Sequence, residues 1–221
     1  MVVTTVIPAS IALRTNPSIS LLLRGLRSDR YSPAVPHITV PAGVPGIRSL
    51  FAFRPEVAQP LSVLADVLLH AESSLSRGER ELIAAYVSSL NDCEFCHQSH
   101  AAVASCHLGD EGSTVTAVVR DAYSAPVSPK MKALLAIAAR VQRSGREVRP
   151  SDIERARKEG ATDIEIHDTV LIAAAFCMFN RYVDGLDAPT PTDAAGYRER
   201  ARHVAAHGYA AVIQASTNRS R

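Results

Sequence analysis

From Ile164 to Val183 the chain runs on with abundant alanine and, after Asp168, almost no charge. Thr162, or Asp163, stands in front of it as a helix cap. A helix that is apolar on nearly every side must be buried, either in a core or in a subunit interface. Whatever this chain folds into therefore has to wrap other helices around that segment. The composition agrees with this: 47% hydrophobic, 21% charged, only 5% aromatic and no Trp. Alanine-rich, aromatic-poor chains favour helices packed closely through small side chains over a β-sandwich. A length of 221 residues allows one domain of good size or two small ones.

Other segments supply the partners. Ser76 with Glu79 three residues on has capping-box spacing and predicts a helix from Glu79 to about Ser89. Asn91-Asp92 breaks that helix and, with Glu94, caps a second one that runs to about His107. A helix opening at Pro55 or Pro60 precedes them. Further helices are expected over Val115–Tyr123, Lys130–Gln142, from Ser151 to Gly160, and from about Asp193 to Gln214. A capped short helix followed by a long one occurs around residues 60–107 and again around 130–183, a possible internal pseudo-repeat. The expected fold is all-α. Residues 1–45, with Pro8, Pro17, Pro33, Pro36, Pro41 and Pro45, read as an extended arm; 46–190 as the helical domain; 191–221 as a C-terminal helix and tail.

Charge excludes some functions. Twenty-four basic and twenty-two acidic residues give a net charge of +2 without an obvious basic stripe, so no nucleic-acid partner is expected. The apolar pieces near the N-terminus are short, interrupted by Pro8 and lack a basic leader, so neither a signal peptide nor a membrane span is expected. That reading places the protein in the cytoplasm. In that compartment paired cysteines are catalytic or metal-binding more often than structural disulfides.

The chemistry concentrates between Cys93 and His100, in Cys-Glu-Phe-Cys-His-Gln-Ser-His, which holds two of the four cysteines and two of the eight histidines. Cys93 and Cys96 sit one helical turn apart, close enough for their sulfurs to approach disulfide distance. A helix N-terminus stabilises a thiolate there, which favours Cys93. His100 stacks on Cys96 at i, i+4, and His97 has the same relation to Cys93. Glu81, on the preceding helix, reaches the pair through Ser88 or water if the two helices form a hairpin at Leu90–Asp92. Thiol, base and second thiol are the parts of a dithiol redox centre. Three other readings use the same residues. Cys93-Glu-Phe-Cys96-His97 is also the c-type haem attachment pattern, which normally needs export. Zinc held by Cys93, Cys96, His97 or His100 and His107 requires ligands within two turns to close a tetrahedron. The cysteines are otherwise simple core residues. Elsewhere, Cys106 is expected in core or surface, Cys177 buried, His107 as a helix-end cap, His70 and His167 at the surface or helix ends, and Arg140, Arg143, Arg146 and Arg149 on a solvated face.

Glu81 followed by Cys93-X-X-Cys96-X-X-X-His100 resembles the signature of the alkylhydroperoxidase D-like family within the carboxymuconolactone decarboxylase superfamily. Leu75-Ser76, Glu81-Leu82-Ile83, Val87-Ser88, Asn91 and Asn180-Arg181 to Asp184-Gly185-Leu186 are similar to its peroxidase-related branch. The resemblance implies an all-helical homo-oligomer (a trimer or hexamer) with cofactor-free, metal-free thiol peroxidase activity. Cys96 would attack a hydroperoxide and Cys93 would resolve it as a disulfide. Glu81 and His100 would relay protons, and an external dithiol, dihydrolipoamide-like or thioredoxin-like, would reduce the pair. Where well-studied members carry a histidine just before the second cysteine, this chain has Phe95. The alternative is a non-redox decarboxylase-like enzyme, or a metal-binding or scaffold oligomer whose cysteines are vestigial.

Overall fold

The Ser76 hydroxyl accepts from the Glu79 amide while the Glu79 carboxylate accepts from the Ser76 amide. This reciprocal cap is worth about 1 kcal/mol. Thr162 and Glu165 repeat it at the start of the long apolar helix. Between and around these two local signals the computed structural model describes residues 35–217, with side chains through residue 211. Most of the proline-rich arm expected over 1–45 lies outside the described residues.

Nine α-helices and no strand occur among the described residues: α1 (Ile47–Phe53), α2 (Pro55–Leu69), α3 (Arg77–Leu90), α4 (Glu94–Leu108), α5 (Ser113–Asp121), α6 (Pro129–Arg143), α7 (Pro150–Lys158), α8 (Asp163–Gly185) and α9 (Ala194–Thr217). Pro60 lies inside α2 and Pro55 opens it. No helix among them is long and apolar enough to cross a membrane.

α3 is the central element. It forms a hairpin with α4 and also packs against α8, α6 and α5. Leu82, Ile83, Ala84, Ala85 and Val87 are all buried on it, and its two alanines let the neighbouring helices approach closely. Leu134, Leu135 and Ile137 of α6 and Ile172 and Phe176 of α8 complete that core. Each such large side chain contributes about 1.5–3 kcal/mol through burial. α9 returns across α4 and α2.

α8 is less enclosed than its sequence suggests. Ile172, Ala173 and Phe176 face the core, but Ile164, Leu171 and Met178 are 57%, 40% and 43% exposed. They recur every seven residues and so form one stripe. Cys177 flanks it, half-buried where full burial is expected from its apolar neighbours, because it sits at the edge against α3 and α6. Of the arginine cluster, Arg140 pairs with Asp152 and Arg143 with Glu147, so that face is partly ion-paired.

Candidate active site

The α3–α4 elbow differs from the sequence reading. Asn91 is the C-cap of α3 and does not cap α4, whose N-cap is Cys93. The competing force is tertiary. The Asn91 side-chain amide donates to Asn180 Oδ1 at 2.7 Å, and Asn91 Oδ1 accepts from Gln142 at 2.9 Å. Asn180, fully buried on α8, donates in turn to the Ser88 hydroxyl at 3.1 Å. Asp92 then takes a left-handed conformation, φ 57°, to turn the chain. Its successor Cys93 donates its amide to the Ser88 carbonyl at 3.0 Å. The chain Gln142–Asn91–Asn180–Ser88 thus fixes where Cys93 begins α4. Ser88 works here, at the elbow, and not as a bridge from Glu81.

Cys93 and Cys96 are both reduced and both buried, with 0% and 4% exposure. Cys93 is the N-cap of α4 but makes no side-chain cap bond, and both thiols lie near the positive end of that helix. The neighbouring Cys96 thiol, burial and the nearby Asp184 carboxylate push the Cys93 thiol far above its ordinary range. Cys93 therefore remains a protonated thiol. This reverses the preference that helix-end electrostatics alone assigns to Cys93: a buried thiol next to a second sulfur and a carboxylate loses more by ionising than the helix end returns.

Around the pair lies an apolar shell of Leu50, Phe95, Val183, Ala188 and Tyr197. Phe95 projects onto Gly46 and Tyr197, with its ring centroid 6.1 Å from that of Tyr197. His97 turns toward α3, its Nδ1 lying 3.1 Å from the Ala85 carbonyl.

Glu81 is fully buried in α3 and meets His100 directly: Oε2 lies 2.7 Å from His100 Nδ1. No intermediary is needed, because the helical hairpin brings the second turn of α3 against the middle of α4. An ionised carboxylate only accepts, so the Nδ1 proton points to Glu81 and the lone pair of His100 lies on Nε2. The Phe176 ring packs edge-on against the imidazole at 4.5 Å and holds its plane.

Tyr209 comes from far along the chain. Its hydroxyl donates to the other Glu81 oxygen, Oε1, at 2.6 Å and lies 3.1 Å from His100 Nδ1. Sequence reasoning missed it: no motif surrounds it, and the one signal is Gly208 inside an otherwise helical stretch. Asp184 beside Cys93 was likewise read only as part of a resemblance.

Among the described residues, no three His, Cys, Asp or Glu side chains come together as a metal site. His97 is directed to Ala85, and His107 lies against His70 with ring centroids 6.1 Å apart, so the four-ligand zinc arrangement does not assemble. His107 Nε2 is buried with no hydrogen-bond partner among the described residues.

Residues 55–140, from α2 through most of α6, match the Carboxymuconolactone decarboxylase family. The fold is similar to the alkylhydroperoxidase AhpD core of an uncharacterized peroxidase-related protein from Ralstonia eutropha JMP134, at 22% identity and a TM-score of 0.63 over 89% of this chain and 95% of that one. An uncharacterized peroxidase-related protein from Silicibacter sp. TM1040 is similar at 25% identity and TM-score 0.63, over 86% and 91%. No curated protein matches the chain significantly.

Proposed function

We propose that this chain, whose residues 55–140 match the Carboxymuconolactone decarboxylase family, is a dithiol peroxidase acting on organic hydroperoxides. The observation that carries this reading is the buried Glu81–His100 bond at 2.7 Å, one helical turn from a buried, unbridged cysteine pair. His100 Nε2 takes the Cys96 proton. The Cys96 sulfur attacks the outer oxygen of ROOH; an S–O bond forms as the O–O bond breaks, and the alkoxide takes that proton and leaves as alcohol. Cys93 then attacks the sulfenic sulfur. The S–S bond forms, the S–O bond breaks and water departs. An external dithiol, dihydrolipoamide-like or thioredoxin-like, returns two electrons and two protons by thiol–disulfide exchange. The apolar shell of Leu50, Phe95 and Val183 favours a peroxide with a hydrocarbon tail. No cofactor enters the scheme, and reduced thiols suit a cytoplasmic setting.

The exposed stripe of Ile164, Leu171 and Met178 supports a homo-oligomer. Two copies laid antiparallel along α8 about Leu171 would bring Asp163 of one toward Arg181 of the other. A twofold contact of this kind suits a hexamer made of dimers and not a cyclic trimer.

The test is a thiol count on reduced, metal-free protein before and after one equivalent of cumene hydroperoxide, with peptide mapping. Loss of two thiols, a Cys93–Cys96 peptide and its absence in Cys96→Ser are expected. Four unreacted thiols would overturn the reading in favour of non-redox chemistry on the same fold.

A further inference from the structure

α9 is one helix in outline but is broken at Gly208, whose φ of 80° and ψ of −179° are not helical. The break restarts the helix, and a restarted helix exposes new amide donors. Asp66 of α2 takes them: its Oδ1 accepts from the Tyr209 amide at 2.5 Å and its Oδ2 from the Ala210 amide at 2.9 Å. Gly208 is required at that point twice over. Its φ is left-handed, and a Cβ there would lie 2.6 Å from Asp66 Oδ1. The consequence of this clamp is the direction of one side chain. Tyr209 is turned inward, its ring half-buried and its hydroxyl end enclosed against Glu81. Its ring stacks on that of His100 at 5.6 Å with 27° between planes.

Glu81 has two carboxylate oxygens, no exposure and two donors: Tyr209 on Oε1 and His100 on Oε2. A buried carboxylate missing a donor takes up a proton or seizes one from its neighbour. We infer that Tyr209 is the positioning residue of the proton relay: its hydroxyl, delivered by the Gly208 break and the Asp66 clamp, occupies Glu81 Oε1 so that Oε2 holds the Nδ1 proton of His100 and Nε2 is left as the base for Cys96. This rests on the dithiol-peroxidase reading for its consequence in rate, but not for its consequence in tautomer. Burial, with Glu81 alongside, keeps the phenol well above its ordinary value, so Tyr209 remains a donor throughout the working range and does not itself titrate. The other charged or titratable groups facing this cluster are Arg80 of α3 and His107 of α4, which both feel Glu81, and Asp66 of α2 and Arg200 of α9, which both feel Tyr209. From α8 the Phe176 ring packs on His100, and Asp168 faces Arg80.

The experiment uses the full chain carrying Tyr209→Phe. Single-turnover oxidation by cumene hydroperoxide is followed across pH, and the His100 ring nitrogens are followed by 15N NMR without peroxide. Expected at pH 7 is a rate about tenfold to a hundredfold below wild type. The acid limb should move to higher pH, because a buried carboxylate that loses one of its two donors holds its charge less well, and the rate should recover at high pH. In the NMR arm, wild-type neutral His100 should carry its proton on Nδ1, and the variant should show a mixed tautomer. A rate reduced equally at every pH, or an unaltered profile with an unaltered tautomer, would overturn the inference. If wild type does not react with peroxide, the function reading fails, and the tautomer comparison still decides the role of Tyr209. If Tyr209→Phe folds poorly, Asp66→Asn, which weakens the clamp and so loosens the hydroxyl from Glu81 without removing it, should shift the same acid limb in the same direction; no shift would count against the inference.

Discussion

Gly46 opens α1 at φ 58° and ψ −144°, and a Cβ built there would lie 2.1 Å from the tip of the Phe95 ring. Two separable costs follow for Gly46→Ala. The backbone cost of an L-residue in that region is about 1–3 kcal/mol. The packing cost of displacing a ring that is buried against Tyr197 is about 1–3 kcal/mol more. Shortening the ring removes only the second. Phe95→Leu has no atoms at the ring tip, so Gly46→Ala made in that background should cost only the backbone part. Urea denaturation of all four chains of the cycle, followed by circular dichroism, measures the difference. The expected coupling between positions 46 and 95 is about 1–3 kcal/mol, with the double variant more stable than the sum of the singles. Additivity within about 0.5 kcal/mol would refute the claim that Gly46 is glycine to make room for Phe95. The same displacement should disturb the cover of the thiol pair, so Gly46→Ala should also change the rate at which an alkylating reagent reaches Cys96.

Glu81→Gln keeps the shape of the relay and removes its charge; the peroxide-driven loss of thiols at pH 7 should fall about 10²- to 10⁴-fold in stopped-flow assays. A fall of less than about threefold would take Glu81 out of the mechanism. Burial holds the His107 imidazole below its ordinary value, so the unfolded chain takes up this proton first. The stability involved is present in full above about pH 6.5 and is lost as the pH falls from there to the lower folded value. His107→Gln should therefore unfold less steeply with acid than wild type in urea titrations between pH 7 and 5, and equal slopes would count against the assignment. Leu171→Glu places a charge in the exposed stripe of α8, and sedimentation velocity should show smaller particles than wild type with helical content retained; an unchanged sedimentation coefficient would mean that copies do not meet there.

Local signals were the legible ones. Ser76 with Glu79 and Thr162 with Glu165 define helix starts through bonds three residues apart, and α3 and α8 begin where that spacing says. Asn91 with Glu94 has the same spacing and fails, because Asn180 and Gln142 offer Asn91 better partners and Asp92 supplies the turn. The pairing of Glu81 with the cysteine helix was visible as a hairpin, but its directness was not, since Ser88 is equally well placed in sequence and is drawn to Asn180 instead. Tyr209 could not be read beyond the glycine that precedes it. Its partner lies 128 residues away, and nothing about a tyrosine in a polar helix reports that distance.

That separation also orders the assembly of the site in time. The thiol pair and the Glu81–His100 bond belong to one short hairpin, closed by contacts only 19 residues apart in the case of Glu81 and His100. Such contacts form early and need little loop closure. The residue that completes the donor set of Glu81 leaves the ribosome 128 positions later. A nascent chain thus holds the paired cysteines before Tyr209 exists, and vectorial synthesis leaves the donor set of Glu81 incomplete until α9 has docked.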